Sequence, residues 1–135
     1  MIYKFKREPI SKIILVDILV DDIYEFKMAL DTAASITTFD VNALRTLYYP
    51  IGDTIETGMV ETASGIMPVD IIETNTLSAF GHTVRGMNVQ IYDYLVYGII
   101  SGYDGVLGLD FFENTKFCID MVNQTIEVEE YFKQI

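Results

Sequence analysis

Alternation between apolar and polar positions recurs along this chain and predicts many short β-strands. Residues 12–20 are rich in β-branched side chains, and residues 23–30 alternate after a turn at Asp21 and Asp22. We expect these two segments to pair as a hairpin. Further strands are predicted at 36–39, 54–62, 66–78, 83–92, 117–121 and 125–132. Many short strands with turn residues between them are typical of a small all-β barrel or sandwich.

Two short segments interrupt the β pattern and predict helical turns. Asp40 has the side chain of a helix N-cap and precedes residues 41–47, and Pro50 lies just beyond their end. Residues 109–114 are expected to form one or two further helical turns. The length of 135 residues is that of one domain, so we expect residues 1–135 to form a single domain.

Composition and charge exclude several functional classes. The formal net charge is −11, from 9 basic and 20 acidic residues, which argues against nucleic-acid binding because phosphate contacts need Lys and Arg patches. No apolar run approaches the roughly 18 residues of a membrane span, and no convincing signal peptide is present. We therefore expect a cytoplasmic protein without membrane association. The single cysteine, Cys118, is expected to be buried, and the single histidine, His82, to lie exposed in a turn without metal-binding partners.

The stretch with the clearest chemical content is Asp-Thr-Ala-Ala-Ser at residues 31–35. It follows the predicted strand 23–30, so the strand delivers a carboxylate, a hydroxyl and small residues into a tight turn. Small residues let backbone amides approach the carboxylate, which favours its ionised form or a shared proton. Such a carboxylate can activate water. An isolated Asp-Thr after a strand is usually only a turn with a side-chain hydrogen bond to the backbone, so further signals are needed.

Two later elements supply such signals. Ser64-Gly65 marks the tip of a predicted hairpin, and Gly-Val-Leu-Gly-Leu-Asp-Phe-Phe occupies residues 105–112. In this order, the three elements resemble the retropepsin-like aspartic proteases, the single-domain relatives of pepsin, over roughly residues 12–128. The resemblance implies an all-β fold, a small closed or partly open acid-protease barrel with one or two short helices, homodimeric and without a metal or cofactor.

The same resemblance implies roles for particular residues. Asp31 would be the catalytic aspartate of an endopeptidase, and the Thr32 hydroxyl would tie two active-site loops together across a dimer. The implied sets are Thr32, Ala33, Ala34 and Ser35 as support of the active-site loop, Thr62, Ala63, Ser64 and Gly65 as the flap over the substrate, and Leu107, Gly108 and Asp110 packed behind the loop.

One aspartate motif of this type occurs in the sequence, so the resemblance implies that Asp31 meets its twin across a two-fold axis. Two ionised carboxylates about 3 Å apart repel by about 5 kcal/mol at an effective dielectric constant of 20. The pair is therefore expected to hold one proton over a wide pH range. The implied partners are a second copy of the chain and an extended peptide, which is recognised by strand addition.

Ala33 stands where glycine is usual and motivates an alternative. A methyl group is tolerated at negative φ, but positive φ would cost about 1 kcal/mol or more and move Asp31. The alternative is a catalytically silent peptide-binding or dimerisation module on the same fold, and a third possibility is a β-barrel domain with an unrelated interaction role. Asp110 is also open to two interpretations, as a cap of the short helix or as a contact with the catalytic loop. Tyr92, Tyr94, Tyr97 and Tyr103 fit either a cleft or packing at the edge of the core.

Overall fold

The structure, a computed structural model, describes residues 1–52, 54–62, 65–99 and 101–131. Strands dominate these residues, with one short α-helix and one 3₁₀ helix, which confirms the predicted all-β class. The elements are β1 (Ile2–Lys4), β2 (Lys6–Arg7), β3 (Ile14–Val20), β4 (Tyr24–Leu30), β5 (Thr38–Asp40), α1 (Val41–Thr46), β6 (Glu56–Thr62), β7 (Gly65–Glu73), β8 (Thr76–Ala79), β9 (His82–Arg85), β10 (Asn88–Tyr92), β11 (Gly105–Leu107), the 3₁₀ helix (Leu109–Phe112), β12 (Thr115–Asp120) and β13 (Thr125–Glu130).

The strands of the described residues form two sheets. The smaller has three strands in the order β1-β13-β12, and the larger follows the order β6-β7-β10-β5-β11-β4-β3-β8-β9, with β2 paired to β3. The predicted hairpin is confirmed as β3 and β4, with Val16 opposite Met28 and Ile18 opposite Phe26. All four of these side chains are buried, because alternate residues of a strand face the same side of the sheet.

Two long predicted strands are each divided in the structure. Residues 66–78 form β7 and β8, and residues 83–92 belong to β9 and β10. The Thr74 amide donates to the Met87 carbonyl, and the Gly86 amide donates to the Asn75 carbonyl, both at 3.0 Å. On one side of this crossing β7 pairs with β6 and β10, whereas on the other side β8 pairs with β3 and β9. Within each of these two segments the chain therefore changes its sheet partners at a point where the sequence predicts one continuous strand.

The short helix α1 begins where the sequence predicts. Asp40 is its N-cap, and the Asp40 carboxylate accepts a hydrogen bond from the Asn42 amide. Val41 and Leu44 bury the inner face of the helix. The cap satisfies an amide that has no partner within the helix, so this local prediction depended on nothing distant in the sequence.

The core joins the two sheets and the helical segments. Phe26 of β4 and Phe39 of β5 are fully buried and pack edge to face, with ring centroids 5.2 Å apart. Burial of a side chain of this size contributes about 1.5–3 kcal/mol. The contact fixes the relative position of the two strands that flank residues 31–37. Other fully buried members of the core are Ile18, Met28, Leu44, Leu77, Val89, Leu107, Phe111 and Ile126.

Two sequence predictions about single residues are wrong. His82 is buried, with Nδ1 2.9 Å from Glu130 Oε1 and Nε2 3.1 Å from the Phe111 carbonyl oxygen. It connects β9 to β13 and the 3₁₀ helix instead of lying in solvent. Cys118 is exposed on β12 and not buried.

No helix in the described part of the chain is long and apolar enough to cross a membrane.

Candidate active site

Strand β11 determines where residues 31–35 lie. It pairs in parallel with β4 and antiparallel with β5, so it lies between the strand that precedes this segment and the strand that follows it. At the end of β4 the Asp31 amide donates to the Leu107 carbonyl at 3.1 Å. The last strand residue of β11 therefore fixes the backbone of Asp31.

Two glycines permit this close approach. A Cβ atom on Gly105 would lie 2.2 Å from the Thr38 carbonyl oxygen. A Cβ atom on Gly108 would lie 2.8 Å from the Ala34 carbonyl oxygen and 2.9 Å from the carbonyl carbon of Ile36. Side chains do not fit at such distances. The packing of β11 against β5 therefore requires glycine at the first strand residue, and the packing of the residue after β11 against residues 34–36 requires glycine at position 108.

The Asp31 carboxylate is exposed and is held by its own turn. Its Oδ1 accepts from the Ala33 amide at 2.9 Å, and the Asp31 carbonyl accepts from the Ala34 amide at 3.1 Å. The small side chain of Ala33 leaves room for its backbone amide to approach the Asp31 carboxylate. No Lys, Arg or His among the described residues lies within ion-pairing distance of Asp31.

The backbone of Ala33 does not have the left-handed conformation. Ala33 is absent from the described non-glycine residues with positive φ, and its side chain is exposed. The steric penalty that a Cβ atom carries at positive φ therefore does not apply here. The methyl group of Ala33 therefore introduces no strain of this kind beside Asp31.

A buried network connects the segment after Asp31 to the 3₁₀ helix. The Thr37 hydroxyl donates to Asp110 Oδ1 at 2.7 Å, and the Thr37 amide donates to Asp110 Oδ2 at 2.9 Å. The Gly108 amide in turn donates to Thr37 Oγ1 at 3.1 Å. Asp110 makes both interactions that the sequence left open. Its carboxylate contacts Thr37 of the segment after Asp31, and its Oδ1 also accepts from the Phe111 amide at 3.0 Å in the first turn of the 3₁₀ helix. Sequence reasoning did not identify Thr37, which is fully buried. Thr32, the threonine that it did identify, is exposed.

A cavity of about 460 Å³ opens beside Asp31. This volume falls within the range of about 300–1,000 Å³ that is usual for ligand sites. Of the loop residues predicted as support, Ala33, Ala34 and Ser35 line the cavity. The residues predicted to pack behind the loop do not line it but contact the 31–37 segment, as described above: Leu107, Gly108 and Asp110. Tyr92, one of the tyrosines for which the sequence left a cleft position open, also lines the cavity. The remaining lining residues were not singled out from the sequence, and most of them come from distant strands: Ile36, Thr38, Met59, Val60, Glu61, Gln90 and Val106.

The hairpin of β6 and β7 forms one wall of this cavity. Met59, Val60 and Glu61 of β6 line it, and Thr62 lies opposite Gly65 in the last described pair of the ladder. Gly65 has a φ of 121°, a conformation that residues with side chains rarely adopt. Ala63 and Ser64, which complete the predicted flap, lie outside the described residues.

The tyrosines divide between the two uses that the sequence left open. Tyr92 is half-buried and lines the cavity, whereas Tyr94 lies in the interior at 3% exposure. The two rings pack with centroids 4.9 Å apart. Burial raises the pKa of Tyr92 above its ordinary value. Its hydroxyl is protonated at neutral pH, as that of an ordinary tyrosine is, and can donate a hydrogen bond.

Comparison with known proteins places this architecture in a family. The aspartyl protease family model matches residues 16–111. The chain is similar in structure to a retropepsin-like aspartic protease from Rickettsia conorii, with 18% identity, a TM-score of 0.67, and 97% of this chain and 91% of the other covered. It is also similar to the EIAV protease complexed with the inhibitor HBY-793, with 17% identity, a TM-score of 0.60, and 80% and 92% covered. Curated protein sequences gave no match. The predicted retropepsin-like fold is confirmed, and the chain belongs to the aspartyl protease family.

Proposed function

We propose that this member of the aspartyl protease family is an endopeptidase that acts as a homodimer, with Asp31 of each protomer forming the catalytic pair. The observation that carries the proposal is the position of Asp31. It lies at the end of β4, fixed by the Leu107 carbonyl and the Ala33 amide, and it opens on a cavity of about 460 Å³. One chain supplies one such carboxylate, and two-fold symmetry would supply the second.

In the proposed reaction the two carboxyl groups share one proton. The ionised group takes a proton from water as the water oxygen attacks the peptide carbonyl carbon, and the protonated group donates its proton to the carbonyl oxygen. The resulting tetrahedral diol breaks its C–N bond. The departing nitrogen takes a proton from one carboxyl group, and a diol hydroxyl returns a proton to the pair as the new carboxyl group forms.

The β6–β7 hairpin is the proposed substrate-binding flap. It begins the path of the larger sheet, where β6 has a sheet neighbour on one side within the described residues. An extended peptide that lies between this hairpin and Asp31 would use main-chain hydrogen bonds for affinity and the cavity walls for side-chain specificity. Thr62, Ala63, Ser64 and Gly65 are proposed to close over it.

The decisive experiment replaces Asp31 with Asn. We expect Asp31→Asn to lower the cleavage rate of an unfolded protein substrate on the order of 10³-fold or more, because the general base is lost, while circular dichroism shows an intact fold. Asp22→Asn is the matched control, since Asp22 is an exposed aspartate just before the same strand. Retention of cleavage by Asp31→Asn would refute the assignment.

Oligomeric state provides a second test. Sedimentation is expected to detect a dimer, and specific activity is expected to rise with protein concentration through its dissociation constant. The activity should fall at both low and high pH, because an active pair needs one protonated and one ionised carboxyl group. Protein that cleaves peptides while strictly monomeric at every concentration would contradict the shared pair.

The second candidate function is a catalytically silent peptide-binding or dimerisation module, and Ala33 is the observation behind it. The absence of positive φ at Ala33 weakens that argument, since the methyl group introduces no backbone strain. Peptide binding without cleavage over a broad range of pH and substrates would favour the silent module over the peptidase.

A further inference from the structure

We infer that Glu61 makes this site selective for peptides with a lysine or arginine side chain near the scissile bond, an inference that rests on the proposed function. Apart from Asp31, Glu61 is the one charged side chain among the described residues that line the cavity. The remaining lining residues are apolar or neutral. A substrate cation would therefore meet negative charge and no competing lysine, arginine or histidine.

The Glu61 carboxylate has no side-chain partner in the described part of the chain. It is exposed on β6, and no hydrogen bond or ion pair of its side chain occurs among the described residues. The chain as a whole has a formal net charge of −11, so the potential around the cavity adds to the attraction for a cation. A structural role in the fold therefore does not explain this carboxylate.

The surface beside Glu61 fits a long aliphatic stem. Met59 lies two residues earlier on β6, so its side chain projects from the same face of the strand as that of Glu61. Met59 is 63% exposed, and Ile36, on another wall of the cavity, is 41% exposed. Lysine and arginine pack their methylene groups on apolar surface and keep the charge at the tip. Aspartate and glutamate would be repelled at the same position.

Symmetry extends the expectation to both sides of the scissile bond. In the proposed homodimer each protomer contributes one Glu61, and the two-fold axis passes through the catalytic pair. A peptide that crosses this axis would meet one carboxylate on its amino-terminal side and one on its carboxy-terminal side. Basic residues should therefore be favoured at two positions on opposite sides of the cleaved bond.

The test measures binding, so that it does not depend on catalysis. Three fluorescent peptides differ at one position near the cleavage site, which holds lysine, norleucine or glutamate; norleucine has the stem of lysine without the charge. In the Asp31→Asn protein at low ionic strength we expect lysine to bind about fivefold more tightly than norleucine, the scale of an exposed ion pair. The preference should shrink in high salt.

Variants of the same strand assign the effect to Glu61. In the Asp31→Asn background, Glu61→Gln should bring the ratio of lysine to norleucine affinities close to one, and Glu61→Lys should favour the glutamate peptide. Glu56→Gln is the matched control, because Glu56 is exposed on β6 but does not line the cavity. It should keep the preference for lysine.

Opposite results would separate this inference from the proposed function. Equal affinities for lysine and norleucine, a ratio that persists in Glu61→Gln, or no binding of the lysine peptide would overturn the role of Glu61. Cleavage by the wild type that Asp31→Asn abolishes would leave the peptidase proposal standing in those cases. A ratio that depends on Glu61 in a protein that never cleaves would instead support selectivity in a silent binding module.

Discussion

Thr37 is bonded to Asp110 through both its hydroxyl and its backbone amide, at 2.7 and 2.9 Å. The two residues lie 73 positions apart in the chain, and Thr37 is fully buried. Their contact holds the segment that follows Asp31 against the 3₁₀ helix. The position of the candidate catalytic carboxylate therefore depends on a hydrogen-bond pair outside the cavity.

Replacement of Thr37 by valine tests this network. Thr37→Val keeps the shape of the side chain but removes the hydroxyl, so Asp110 loses a donor and the buried Gly108 amide loses its acceptor. We expect the free energy of unfolding to fall by about 1–3 kcal/mol in urea titration, together with a loss of cleavage activity. Thr32→Val, at an exposed position of the same segment, is the control for stability and should change it by less than about 0.5 kcal/mol. Equal stabilities of the two variants would contradict the assigned role of Thr37.

Gly108 is predicted to tolerate no side chain. In Gly108→Ala the new methyl group would lie 2.8 Å from the Ala34 carbonyl oxygen, so the backbone beside Asp31 must shift. Strain of this kind typically costs about 1–3 kcal/mol, which thermal unfolding would detect. Gly102→Ala is the control, since a Cβ atom on Gly102 would meet nothing within 4 Å beyond its chain neighbours. A Gly108→Ala protein with unchanged melting temperature would argue against close packing between β11 and the active-site loop.

Replacement of Ala33 by glycine should not increase the activity of the proposed peptidase. Because Ala33 does not have positive φ, we expect Ala33→Gly to leave kcat/KM within about threefold of the original and to lower stability by about 0.4–1 kcal/mol through the entropy of the unfolded chain. Peptide cleavage assays and urea unfolding measure the two effects. A rise of tenfold or more in kcat/KM would mean that the methyl group does restrain the active-site loop.

Tyr49 is predicted to make stability fall at alkaline pH. Burial, followed by its 2.9 Å hydrogen bond to Asp21, raises the pKa of Tyr49 above its ordinary value. Because the folded state holds the Tyr49 proton more tightly than the unfolded state does, Tyr49 contributes its full stabilisation below the unfolded pKa of about 10. This contribution to the free energy of unfolding is lost progressively as the pH rises above that value. Unfolding free energies measured from about pH 8 to pH 11 should therefore decline.

Tyr49→Phe should make that decline shallower, because phenylalanine has no proton to lose. Tyr48→Phe is the matched control, since Tyr48 is adjacent and 90% exposed. Identical slopes in the two variants would contradict the role of Tyr49. The Asp21 carboxylate accepts from the amides of Asn75 and Thr76 as well as from Tyr49.

Salt is predicted to stabilise the protein. The formal net charge is −11. Among the described residues the one contact within 4.0 Å between an acidic and a basic side chain joins Glu130 to His82, and it is an ion pair only when His82 is protonated. Most acidic side chains therefore repel one another without compensation, and association of two such chains would double the charge. An increase in NaCl from about 50 to about 500 mM should raise the unfolding temperature and tighten the proposed dimer by screening this repulsion. The stabilisation by salt expected at pH 7 should vanish near pH 4.2, the isoelectric point expected from the sequence. Equal responses to salt at pH 7 and at pH 4.2 would contradict the electrostatic cause.

Local signals predicted the elements that depend on neighbouring residues. The alternation of apolar side chains indicated β3 and β4, and the carboxylate of Asp40 indicated the start of α1. The order of three short motifs also indicated the aspartyl protease family and its fold. These features were accessible because strand periodicity, capping and tight turns are determined within a few residues of chain.

Contacts between distant residues were decided only in three dimensions. The burial of His82 against Glu130, the bond between Thr37 and Asp110, and the presence of Glu61 in the cavity each join residues far apart in sequence. An isolated histidine, threonine or glutamate has the same local pattern in solvent as in a network. The sequence by itself indicated many of the strands and turns and where the candidate catalytic carboxylate follows one of them. Sheet pairing decided which polar groups surround that carboxylate, because hydrogen bonds and charge interactions act through space and not along the chain.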